Sequence, residues 1–308
     1  IWPQLLKDVD EGNLQPRYQR SEPLNLAELK PYPTHLIPLE RYDGIWSVVV
    51  SRGCPYRCSF CTIPDFFKGG IRYRPVEDVV EEIRNSGAEY VELHADNLLV
   101  NRKYCEELFQ ALIPLNIHWI GETSINLAKD EELLDLAVAS GLSHVLLGLE
   151  TPSEEALKGA GKTFFKPEDA KQHIRKFIDR GVEVDAAFLF GFDEHDKNIF
   201  QKTYDYVKAA AIQSVHSVIL IPFPGTRVYR EMSEQKRIKT RDWSQYDGSH
   251  VVFEPKGMSA DQCQEGAEWF YCKSGEAPVG YSLYRWLDIS MMAVALISIG
   301  AGIWYYFL

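Results

Sequence analysis

The sequence has no block of basic residues, and its 33 Lys+Arg fall short of 44 Asp+Glu, leaving a net charge of −11. That balance argues against a nucleic-acid partner. No internal repeat or low-complexity tract is present, so a solenoid or a disordered linker protein is excluded. Cysteine is scarce: six residues, three of them clustered. This is not a secreted disulfide framework and fits a reducing compartment and a metal site. The chain opens on Ile1 with no signal peptide in front, which reads as a cut after a preceding segment. Its 308 residues at 45% hydrophobic content allow one large domain or two modest ones.

Charge is also missing from Ile289 to Leu308. A stretch of about twenty uncharged residues is long enough to cross a bilayer. Arg285 and Trp286 precede it, and Trp304 to Phe307 form an aromatic end. The expectation is a C-terminal hydrophobic helix of membrane-anchor length. Arg285 and Lys273 on the near side would keep the main domain cytoplasmic, at the inner face of the membrane. A buried terminal helix or a partner interface is the competing reading.

What is present is concentrated in eight residues. Cys54, Cys58 and Cys61 stand in CxxxCxxC spacing directly after the β-forming run Ile45 to Val50. Three thiolates on one short loop can hold three corners of a cubane iron–sulfur cluster and leave the fourth iron open for a small molecule. An electron carrier closes its cluster with four cysteines, so an open iron points to an enzyme. A structural zinc is the rival and needs four ligands. Cys105, on a helix behind the sheet, is badly placed to supply the fourth. Cys105, Cys263 and Cys272 read as isolated thiols.

Residues 1–44 are irregular and rich in proline, with a short helix near Leu5 to Val9. Strands are expected at about 45–51, 90–94, 117–122, 144–149, 183–190 and 214–221, with helical patterns between them. Val79, Val80 and Ile83 mark one helix face, Leu133, Leu134, Leu136 and Ala137 another, and Ile174, Phe177 and Ile178 a third. Thr151-Pro-Ser-Glu154 reads as a capping box. Six βα units predict an α/β fold, a partial (β/α)6 TIM-like barrel. Functional residues then belong at the C-terminal strand ends. The cysteines, Asp96-Asn97, Glu122-Thr-Ser124, Glu150, Gly191-Phe-Asp193 and Pro222 to Gly225 all fall there. The expected organisation is a linker over 1–44, the barrel over 45–230, an irregular cap over 231–285 and the hydrophobic helix over 286–308. His94 could face the site or be a satisfied structural histidine. Asp193 to Asp196 read as a solvated loop.

The cysteine loop Arg52-Gly-Cys-Pro-Tyr-Arg-Cys-Ser-Phe-Cys61 resembles that of the radical S-adenosylmethionine enzymes, and the resemblance extends over residues 45 to about 230. It implies a [4Fe–4S] cluster held by Cys54, Cys58 and Cys61, whose open iron binds S-adenosylmethionine for reductive cleavage. It implies Phe60 near the adenine, and Asp96 and Asn97 where the family usually carries a Gly-Gly-Glu-type loop, which is absent here. Glu150 would contact the ribose or methionyl amine, with Ser124 and Asn126 as polar neighbours. Gly191 and Pro222 resemble the turns that pass the adenine.

The stretches Arg72 to Pro75, Glu122 to Ala128, Gly148 to Pro152, Gly191 to Asp193 and Pro222 to Thr226 resemble the cobalamin-binding branch. That branch includes hopanoid methylases and the anaerobic magnesium-protoporphyrin ester cyclase. Its Asp-x-His-x-x-Gly ligand motif is missing from the sequence, so cobalamin is expected only through an absent N-terminal domain. The implied substrate is apolar, a lipid or a tetrapyrrole, and hydrogen abstraction would lead to methyl transfer or ring formation. A flavodoxin or ferredoxin would supply electrons. The alternative is a membrane-tethered, non-catalytic zinc or interaction module on a degenerate barrel. Sulfur insertion ranks low because no second cysteine triad exists.

Overall fold

The computed structural model describes residues 1–19, 22–29, 31–68 and 70–275. The hydrophobic stretch Ile289 to Leu308 lies outside the described residues. Among those described, no helix is long and apolar enough to cross a membrane.

Among the described residues eight strands form: β1 Ile45–Val49, β2 Ser51–Arg52, β3 Arg72–Tyr73, β4 Tyr90–His94, β5 His118–Thr123, β6 Leu142–Glu150, β7 Glu183–Phe190 and β8 Ser214–Ile219. Six make one parallel sheet in the order β1-β4-β5-β6-β7-β8. Each new strand adds beside the previous one, and helices lie between consecutive strands, as the alternating pattern predicts. The expected first strand is shorter than 45–51. At Val50 the chain leaves the sheet: its N–H still donates to His94 O, but its carbonyl accepts from Arg74 N. Ser51 and Arg52 then pair antiparallel with Tyr73 and Arg72. This short ribbon carries the chain into the cysteine loop.

One face of the sheet is apolar. Val48, Val91, Leu93, Trp119, Leu147, Val184, Ala186 and Phe188 are buried against Val79 and Ile83, Leu108 and Phe109, Leu134, and Ile174 and Phe177 of the intervening helices. Each such side chain contributes roughly 1.5–3 kcal/mol on burial. Leu136 and Ile178 are only half-buried at the margins of their helices. Local caps start the helices: Asn101 accepts from Tyr104 N, and Asp130 from Leu133 N. The Thr151 capping box is corrected. The helix begins at Glu154, and its cap is Ser153, which accepts from Ala156 N. Thr151 is used elsewhere, as described below.

The opposite face alternates in polar residues: Ser47, Glu92, His94, Glu122, His144, Asp185 and His216. Several are paired there, His144 with Glu183 at 3.0 Å and His216 with Asp185 at 3.9 Å. The last described helix, Ala260–Gly275, packs on β8 and on Ile199–Ala209. Its Phe270 meets Phe190 at 5.0 Å and Phe188 at 6.4 Å. Val228, Met232, Tyr246, Val252 and Phe253 build a second small core with Ile219, Leu220 and Phe192, and Phe60 of the cysteine loop packs at its margin.

One buried ion pair ties β1 to the following helix. Arg74 and Glu82 meet at 2.8 Å, with Trp46 Nε1 donating to Glu82 at 3.3 Å and Tyr104 OH to the Arg74 carbonyl at 2.8 Å. Removing one partner leaves a buried charge uncompensated. Glu82→Ala is expected to cost about 3–5 kcal/mol, read as a drop in the denaturant midpoint with an unchanged slope.

Candidate functional site

The cysteine loop is shaped at its first residue. Gly53 has φ +99°, and a Cβ there would lie 1.9 Å from the Gly70 carbonyl oxygen. Only glycine fits this close approach. Its N–H donates to Asp96 Oδ2 at 2.5 Å, which fastens the loop to the end of β4. Further on, Cys61 N donates to Cys58 O at 3.2 Å. Ser59 N donates to Ala160 O at 2.8 Å, and Val228 N to Ser59 O at 3.0 Å. Tyr56 stacks on Phe164 with ring centroids 4.6 Å apart.

All three thiols are free and half-buried. Asn97 Nδ2 lies 3.9 Å from Cys54 Sγ in donor geometry. Burial pushes all three thiols up, Cys61 to about 12. Without a metal they are therefore thiols; binding iron would release their protons. Among the described residues, no three His, Cys, Asp or Glu side chains converge on a single-ion site. A zinc ion needs its donors around one point. A cubane offers a separate iron to each cysteine, and three free cysteines on one loop are the donors such a cluster takes.

The end of β6 faces this loop. The register slips between Gly148 and Glu150, and Glu150 adopts φ +64°. A non-glycine residue in that region is strained. The Glu150 side chain is buried and accepts from Lys162 Nζ at 2.5 Å. Gly148 leaves the space: a Cβ there would stand 2.6 Å from Glu150 Oε1 and 3.0 Å from Lys162 Nζ. Burial works against the Lys162 ammonium, but Glu150 outweighs it and holds the group above its ordinary value. Next to Glu150, Thr151 Oγ1 accepts from Ser153 N and shares a 2.9 Å hydrogen bond with His195 Nε2. His195 is 1% exposed, and burial keeps it neutral with a pKa of about 3.

Thus Asp96, Asn97, Glu150 and Phe60 gather around the cysteines. Phe60 stands edge-on to Phe192 at 5.8 Å. Ser124 caps the short turn Ile125–Lys129 through Asn126 N. Asn126 Oδ1 is buried without a partner. Gly191, at φ +103°, lies where a Cβ would be 2.7 Å from the Phe253 ring, and Pro222 is buried. The loop after β7 is solvated at Glu194 and Asp196 but not throughout. Asp193 is clamped by Arg237 at 2.5 Å and Lys256 at 2.6 Å, and His195 is buried. His94 faces the polar side and lies 3.8 Å from Glu92. Burial works against the Glu92 carboxylate, but His94, Ser47 and the Arg52 charge hold it below the usual range. Sequence reasoning missed Lys162, whose only local signal is the Gly161-Lys162 step after a helix.

Glu122 projects from β5 onto the polar face. Surrounding protein, then the charges of Asp96 and Glu150, push its carboxyl up to about 7, against the opposing pull of Lys162 and His94. Its surface still meets water, so screening limits the energetic effect. A carboxyl whose folded pKa exceeds its unfolded value near 4.5 stabilises below that value and loses this as pH rises through about 7. Denaturant titrations at pH 5 and pH 8 should show wild type losing stability relative to Glu122→Gln over that interval.

Residues 48–207, more than half of the chain, match the model of the radical SAM superfamily. The bacteriochlorophyllide d C-12(1)-methyltransferase of Chlorobaculum tepidum is 28% identical over 281 residues, covering 86% of this chain and 60% of that protein. The anaerobic magnesium-protoporphyrin IX monomethyl ester cyclase of Cereibacter sphaeroides is 27% identical over 230 residues, covering 70% of this chain and 36% of that protein. The chain therefore spans 60% or less of the length of these relatives. Among solved structures, the radical S-adenosylmethionine methyltransferase TsrM of Kitasatospora setae, with cobalamin and a [4Fe–4S] cluster bound, aligns with TM-score 0.58 at 22% identity. That match covers 64% of this chain and 38% of TsrM and establishes a shared fold. With its cysteine loop at the end of the first strand of such a sheet, the chain belongs to the radical S-adenosylmethionine superfamily.

Proposed function

We propose that this chain is the cluster- and S-adenosylmethionine-binding part of a cobalamin-associated enzyme that generates a radical on a small molecule, leading to methyl transfer or ring formation. The observation that carries this is one loop with three free thiols, fastened to two strand ends and facing a buried carboxylate–lysine pair. When bound, the cluster supplies one electron that cleaves the sulfonium of S-adenosylmethionine to a 5′-deoxyadenosyl radical. Cys54, Cys58 and Cys61 would each hold one iron. Phe60, Gly191 and Pro222 would line the adenine, and Asp96, Asn97, Ser124 and Glu150 the polar part of the cofactor. Asp96 accepts from the Gly53 N–H, so loop position and cofactor shell share a residue.

The substrate reading is refined by the polar sheet face. Glu92, His94, Glu122, Asp185 and His216 do not suit a bare hydrocarbon. They suit an apolar frame bearing polar nitrogen or a coordinated cation, which favours a tetrapyrrole over a lipid. The names of the two relatives described above support the same choice. The barrel reading of 45–230, the cobalamin domain upstream and a flavodoxin- or ferredoxin-type donor complete the proposal. Asp96 reaches the loop through the Gly53 N–H, which weighs against a non-catalytic module.

Anaerobic reconstitution of the protein decides it. The expected product is brown, carries about four iron per chain and releases 5′-deoxyadenosine from S-adenosylmethionine under reduction. Cys54→Ala, Cys58→Ala and Cys61→Ala should each lose most of the iron and reduce cleavage to background. Colourless protein that retains one zinc would overturn the proposal.

A further inference from the structure

The segment Ala160 to Phe164 runs against the cysteine loop for its whole length. Ala160 O accepts from Ser59 N at 2.8 Å. Gly161 ends the helix Glu154–Ala160 at φ +74°, with its Cβ position 3.5 Å from the Arg57 carbonyl. Phe164 stacks on Tyr56. Lys162 lies between these contacts. Its ammonium is 2.5 Å from Glu150, sits over the Phe164 ring at 5.6 Å, and is 9% exposed. A buried lysine is costly unless it is paired, and Glu150 supplies the pair.

We propose that Lys162 is a positioning residue that sets the reduction potential of the cysteine-held cluster, with Glu150 as its counterweight. This rests on the cluster reading above. Three thiolates give the oxidised cluster a net negative charge, and one electron from a low-potential donor adds another. A fixed cation on the strap stabilises the reduced form more than the oxidised one. The carboxylate of Glu150 acts with the opposite sign. The Lys162 ammonium is held above its ordinary pKa, Glu150 outweighing burial, so the charge is permanent across the working pH range.

The test is a redox titration of the reconstituted cluster, followed by electron paramagnetic resonance, on wild type, Lys162→Met, Lys162→Arg and Glu150→Gln. Lys162→Met is expected to move the midpoint to more negative potential, Lys162→Arg to keep it, and Glu150→Gln to move it to more positive potential. Opposite signs for Lys162→Met and Glu150→Gln separate a charge effect from loosening of the loop, which would move both alike. An unchanged midpoint in Lys162→Met at full iron content, or shifts of one sign in both, overturns the inference. If Lys162→Met does not take up iron, Glu150→Gln and Lys162→Arg decide: a positive shift in the first with none in the second supports it, and any other pair overturns it. Wild type that assembles no cluster would instead overturn the functional reading.

Discussion

The close approach at Gly53 is the constraint on which the site depends. Backbone meets backbone there at a distance that no side chain permits, and Asp96 holds the amide from the neighbouring strand. The parallel pairing of β1 with β4 in the register Val49 to His94 sets up this meeting. At Val50 the chain leaves the sheet, and the short ribbon with Arg72 and Tyr73 carries it into the cysteine loop.

Around that loop the charges are balanced locally rather than globally. The chain carries a net charge of −11, and Asp96, Glu122 and Glu150 bring three carboxyls to one rim. Lys162 and Arg52 answer them. Burial makes the charges of Glu150 and Lys162 count for more than they would on the surface, and Lys162 holds its proton firmly. Iron bound by thiolates adds negative charge to the same place, so the lysine on the strap has an electrostatic reason to be buried.

Much of the fold was legible. Apolar alternation in β4 and β7 and the helical stripes of Val79, Ile83, Ile174 and Phe177 follow from local periodicity, which survives folding because each element buries one face. The cysteine spacing was legible for the same reason: its ligands lie within one loop. The Thr151 box was misread because two hydroxyls stand two positions apart, and the buried His195 claimed Thr151 while Ser153 took the cap. Nothing in residues 193–196 announces that Arg237 and Lys256 arrive from more than forty positions away.

The sequence by itself determined the order of strands and helices, the glycine that the loop needs and the three donors of the candidate cluster. These are encoded in spacing, and spacing is local. Tertiary structure alone decided which charge stands beside which. Lys162 follows Glu150 by twelve residues, across a short helix, yet the register slip at Gly148 turns the carboxylate to meet it. Asp96 and Gly53 are brought together by strand pairing. Such contacts depend on how the strands register and where their ends close. The electrostatics of the site, unlike its ligands, are a property of the assembled sheet.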